Sequence, residues 1–202
     1  MKYIKAFYQI KDKKDIRSNI KSILLIICSS LVLTLFTGAL EYTKVQYGSI
    51  SQDSIYINLK LGSVQTIFKI SIMSFFVIAY YNLMDRYKGV YYKMRLQGAS
   101  IGIIRLMIAL KAVLHIIVSL PISIIVNNLA STMFENFLVS LIGLDVASEI
   151  FKKLEYPIEI AILVIATAIV FIYKIGQSLK KHSTKTSELM QGDEKLEIRF
   201  DS

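Results

Sequence analysis

The chain has 202 residues, 54% of them hydrophobic, with a formal net charge of +9, no tryptophan and one cysteine. Its mean hydropathy is +0.52. The apolar residues gather in long blocks, which argues against a soluble domain, where they would be dispersed. The excess charge flanks those blocks, which fits the Lys/Arg bias of cytoplasmic membrane loops better than nucleic-acid binding.

Residues 1–21 carry Lys2, Lys5, Lys11, Lys13, Lys14, Arg17 and Lys21. Tyr3, Phe7 and Ile10 recur at helical spacing, so this stretch is expected to form an amphipathic helix on the inner membrane surface. Residues 22–40 contain no charge and approach the ~20 residues that cross ~30 Å of hydrocarbon. The apolar run is longer than a signal peptide's, so an uncleaved first span is expected. Cys28 falls within it, where a lone cysteine reads as a buried packing residue. Residues 41–60 form a polar connector on the far side, and Ser54 to Leu61 alternates with the period of a strand. A second span covers 61–84; its Lys69 lies near one end and can snorkel to the interface.

Residues 85–100 are basic, with Arg86, Lys88, Lys93 and Arg95. Tyr87, Val90, Tyr91 and Met94 share one helical face, predicting a short amphipathic helix. Gly98-Ala99-Ser100 then marks a break, with Ser100 a suitable N-cap for the next helix. The third span is expected over 101–130, kinked at Pro121. Residues 131–155 read as an extracellular loop with mixed charge. The fourth span covers 156–173 and opens with Pro157; a basic tail follows over 174–202, including His182. The basic segments 1–21, 85–100 and 174–202 all belong inside by charge bias. The fold class is therefore all-α: a single domain of four transmembrane helices, both termini cytoplasmic, with amphipathic N-terminal and connecting helices.

No phosphate-binding GxxxxGK[ST] loop, HExxH or CxxC pattern occurs, and catalytic residues, a cofactor or a metal site are not expected in this chain. The intramembrane polar candidates are Lys69, Lys111, His115 and Glu159. Lys111 and His115 are four apart and share a helical face. Lys111 lies close enough to Arg105 to snorkel toward the cytoplasmic interface. Lys69 and Glu159 both fall near the outer ends of their spans, where they could pair or each equally reach the headgroups alone.

The run from Arg86 to Ser100, with Met94, Arg95, Gly98, Ala99 and Ser100, resembles the coupling segment of FtsX-like (MacB-type) ABC transporter permeases. The basic lead-in from Ile16 to Ser22 and the closing stretch Lys185 to Gly192 are similar to the family's two ends. The chain differs in carrying Val90 and Lys111 at positions the family gives to acidic residues. It also has only the 41–60 connector where most members hold a large extracellular domain.

That resemblance implies a permease subunit of the bacterial cell membrane, exporting or extracting a peptide or lipid-like substrate. An antimicrobial peptide or bacteriocin is the preferred cargo. It implies as partners an ABC ATPase dimer, which would hold ATP and Mg, a second permease subunit, and membrane lipid. The ATPase-coupling interface would comprise Arg86, Tyr87, Lys88, Tyr91, Met94, Arg95 and Gly98. In that interface Tyr87, Tyr91 and Met94 would enter an apolar cleft, and the basic residues would meet an acidic rim. The alternative is a non-transporting membrane immunity or accessory protein, which would need no ATPase.

Overall fold

The computed structural model describes residues 13–48, 54–142 and 155–197. Five helices account for them: α1 (Lys13–Gly48), α2 (Ser54–Asp85), α3 (Lys88–Leu96), α4 (Ile101–Ile142) and α5 (Glu155–Glu197). No strand occurs among the described residues. Four segments are long and apolar enough to cross a membrane: 16–44, 59–96, 101–138 and 155–181, the second running on through α3.

The long helices form a four-cornered bundle. α1 packs against α4 and α2, and α5 packs against the same two from the other side. Asn19 meets His115 and Thr34 meets Asn127, so α1 and α4 run in the same direction. Lys69 meets Glu159 and Tyr81 meets Phe171, so α2 and α5 run together as well. Phe36 stacks on Phe68 and Lys44 binds Gln65, which sets α1 antiparallel to α2. Asn19, Tyr87, His115 and Ser178 thus share one end of the bundle with α3, while Lys44, Gln65, Lys69 and Glu159 lie toward the other.

Several expected boundaries move. Residues 41–48 and 54–60, read as connector, extend α1 and α2. The strand-like alternation from Ser54 to Leu61 lies inside α2, because a short alternating run adjoining a long apolar segment is absorbed into that segment's helix. Residues 131–142 continue α4 rather than opening a loop, and α5 runs past 173 to Glu197. Residues 13–21 are the start of α1 itself; the rest of the predicted N-terminal helix lies outside the described residues. α4 also continues through Pro121, whose ring removes one backbone donor and leaves the Ile117 carbonyl without its usual intrahelical partner.

The radial distribution of polarity is the reverse of a soluble protein's. On α4, His115, Ser119, Ser123, Asn127 and Ser131 are buried, whereas Leu106, Leu110, Leu114, Ile117, Ile125 and Leu129 are exposed. The α1 face toward α4 buries Ser22, Ser30, Thr34 and Thr37. Lipid tails are as apolar as leucine, so small polar side chains gather where backbones approach closely and large apolar ones face outward. Thr34 and Thr43 donate to the carbonyls of Ser30 and Ala39, and Thr37 donates to that of Leu33, so hydroxyls are satisfied inside their own helix. Large side chains fill the remaining interior, chiefly Phe76, Tyr80, Ile104, Ile108, Val164, Phe171 and Ile175. Cys28, expected to be buried, is exposed on the outer face of α1.

Candidate functional site

The segment connecting α2 to α4 is built by local chemistry. α2 ends at Asp85 and a turn through Arg86 and Tyr87 leads into α3, with Tyr87 N–H bonded to Met84 O at 3.0 Å. At the far end Gly98 adopts φ +89°. Gly98 N–H donates to Arg95 O and Ala99 N–H to Met94 O, each at 3.0 Å. This paired pattern closes a helix on a left-handed residue, which glycine adopts without Cβ strain. Arg95 adds a guanidinium bond to Ala99 O at 3.2 Å. Ser100 then caps α4, its hydroxyl accepting from Ile103 N–H at 3.3 Å. The Gly98-Ala99-Ser100 break expected from sequence is thus a C-cap joined directly to an N-cap.

α3 lies with its apolar face against the rest of the chain. Tyr91 and Met94 are 6% and 7% exposed and turn into the chain's own core, where Tyr91 packs on Phe171. Tyr87 is half-buried; its hydroxyl donates to Asn19 Oδ1 at 3.4 Å and Lys111 Nζ lies 2.9 Å from its ring centroid. Tyr92 hydrogen-bonds Ser178 on α5. Lys88 pairs with Asp85 at 3.3 Å. The exposed face carries Arg86, Gly89, Lys93, Gln97 and Leu96, the last 84% exposed. The amphipathic period placed one apolar face on α3, but a period cannot say whether that face meets a partner or the parent bundle.

Beneath α3 lies a polar node. His115 is 4% exposed. Its Nε2 lies 3.2 Å from Asn19 Oδ1 and its Nδ1 lies 2.9 Å from the Tyr80 hydroxyl. An amide oxygen only accepts, so Nε2 carries the proton and Tyr80 donates to Nδ1. A neutral imidazole satisfies both bonds. Lys111, one turn nearer α3, reaches the Tyr87 ring. The node therefore joins α1, α2, α4 and the approach to α3.

From this node the seam between α1 and α4 runs the length of the bundle. Lys111, His115, Ser119, Ser123, Asn127, Ser131 and Glu135 recur every fourth residue. Asn127 Nδ2 donates to Thr34 Oγ1 at 3.0 Å. The hydroxyls of Ser119, Ser123 and Ser131 and the Asn127 Oδ1 are buried with no hydrogen-bond partner among the described residues. The sequence reading took only the first two positions of this series; the four-residue repeat itself was the available signal. At the opposite end Lys69 and Glu159 form an ion pair at 2.6 Å, with Lys69 also 5.2 Å from the Tyr156 ring centroid. His182 lies among the residues whose side chains are not described.

The class these features define is a multi-pass helical membrane protein, with an amphipathic connecting helix and a polar seam. Comparison with family models, curated proteins and solved structures finds no match to the chain.

Proposed function

We propose that the chain is the membrane permease subunit of a bacterial ABC transporter, with α3 as the element that docks on a separate ATPase. The supporting observation is the division of α3 into two faces. Its inner face is keyed to the bundle through Tyr91 and Met94. Its outer face offers Leu96 flanked by Arg86 and Lys93, an apolar anchor with a basic rim. A connecting helix serving only charge topology would need scattered lysines and no exposed leucine.

In this reading, nucleotide-driven movement of the ATPase pushes on the outer face, and the half-buried tyrosines Tyr87 and Tyr92 pass the load inward. Tyr87 leads to α1 and α4 through Asn19 and Lys111, and Tyr92 leads to α5 through Ser178. The cargo class is a peptide or lipid-like molecule released from the membrane, and a second permease subunit would complete the transporter. Both follow from the family resemblance of the coupling segment.

The test is recovery of an ABC ATPase on purification from the native membrane in mild detergent. Wild type should retain it, and Lys93→Glu with Leu96→Glu should lose it while the permease keeps its thermal stability. Tyr91→Ala is unsuitable, since it removes core packing along with any contact. If no ATPase accompanies the wild type while a known permease complex survives the same procedure, the permease reading fails.

A further inference from the structure

The groove between α2 and α5 widens at the α3 end into a cavity of about 370 Å³ lined by Lys88, Lys174 and Lys181 with Asp85, Gln177 and Ser178. Asp85 is paired with Lys88, so the carboxylate is already neutralised. Among the residues whose side chains are described, no carboxylate lies within ion-pair distance of Lys174 or Lys181. A second cavity of about 310 Å³ lies along the same groove, lined by Val77, Ile78, Ala166 and Val170. Tyr81 and Lys174 line both, which makes them one continuous feature. Lys174 Nζ lies 5.2 Å from the Tyr81 ring centroid, holding both residues at the junction.

We infer that this composite groove binds an anionic phospholipid of the surrounding bilayer. Its headgroup phosphate sits between Lys174 and Lys181, and one acyl chain lies along Val77, Ile78 and Val170. The charge argues for the headgroup: the cavity holds excess positive charge at the level where the apolar part of α5 ends, and basic pockets between spanning helices select anionic headgroups. The second cavity argues for the tail, because a free phosphate would leave an adjoining apolar groove unused. Tyr at the junction suits the boundary between headgroup and hydrocarbon. α3 forms part of the cavity wall through Lys88, and Tyr92 from α3 bonds Ser178 in that wall. A bound lipid therefore bridges α2, α3 and α5. This inference needs only the membrane bundle and does not rest on the transporter reading.

The test is native mass spectrometry of the full chain in neutral detergent, titrated with phosphatidylglycerol or with phosphatidylcholine of the same acyl chains. Phosphatidylglycerol should bind about tenfold tighter, the scale expected for one to two lysines against an anionic lipid. Lys174→Gln with Lys181→Gln should reduce it to the phosphatidylcholine level, and arginine at both positions should restore the preference. Arg17→Gln with Lys21→Gln, an equal charge loss on α1, should leave it intact. Lys181→Gln alone, on an exposed side chain, should weaken binding without affecting the fold. Equal affinity for the two lipids, or an unchanged preference in the lysine variants, would overturn the assignment. So would millimolar inorganic phosphate displacing the lipid, which would make this a free-anion site.

Discussion

Gly98 and the seam serines separate two ways in which a single residue matters. A Cβ at Gly98 would meet nothing within 4 Å, so Gly98→Ala should act only through its positive φ. That places about 1–2 kcal/mol of cost on the backbone, and thermal unfolding in detergent should show it for alanine but much less for asparagine, which tolerates this region. Ser123→Ala should behave oppositely, because it deletes a buried hydroxyl that has no partner among the described residues. Its stability change should be within about 0.5 kcal/mol or favourable. Asn127→Ala removes a real bond to Thr34 and should cost about 0.6–1.7 kcal/mol, the range seen for hydrogen bonds between membrane helices. A Ser123→Ala loss larger than the Asn127→Ala loss would mean that the seam is bonded differently.

α3 shows how much an element's sequence discloses. Its existence, its end at Gly98 and the cap at Ser100 were legible because each depends on contacts within a few residues. Its inward orientation was not, because Tyr91 packs on Phe171, some eighty residues away in the chain. The long helices show the same division. Apolar blocks located all four spans, but their ends were placed too early because polar residues were taken as loop. In α4 Ser131 continues the four-residue polar series and is buried, whereas Thr132 and Met133 beside it are exposed. The ion pair Lys69–Glu159 was foreseeable as a pairing of depths. Lys69→Met should destabilise the protein more than Lys69→Met with Glu159→Gln, since the single change strands a carboxylate. Equal losses would show that each side chain reaches the interface alone.

For the whole molecule, immersion and sidedness can be tested with the chain's single cysteine and two exposed leucines. Cys28 is outward-facing near the middle of the first span. In membranes opened to both sides it should resist a charged maleimide and react with a neutral one, because a charged reagent is excluded from hydrocarbon. Fast reaction with the charged reagent would place that face of α1 in water. In a Cys28→Ser background, Leu96→Cys and Leu59→Cys should be labelled from opposite sides of sealed vesicles. Labelling of Leu96→Cys from the cytoplasmic side would set the orientation that charge bias alone implies.

The fourfold spacing of the α4 seam also governs how the bundle knows its own alignment. A four-residue step advances an α-helix by about 40° beyond a full turn, so the polar line winds around α4 and α1 must follow it obliquely. Ser119 and Ser123 are chemically interchangeable: sliding α4 along that line by one step sets one hydroxyl where the other stood. Two side-chain hydrogen bonds between α1 and α4 distinguish one alignment from the next, Asn19 with His115 and Thr34 with Asn127. The register of α1 against α4 is thus written at these two amide-bearing positions rather than at the serines between and beyond them.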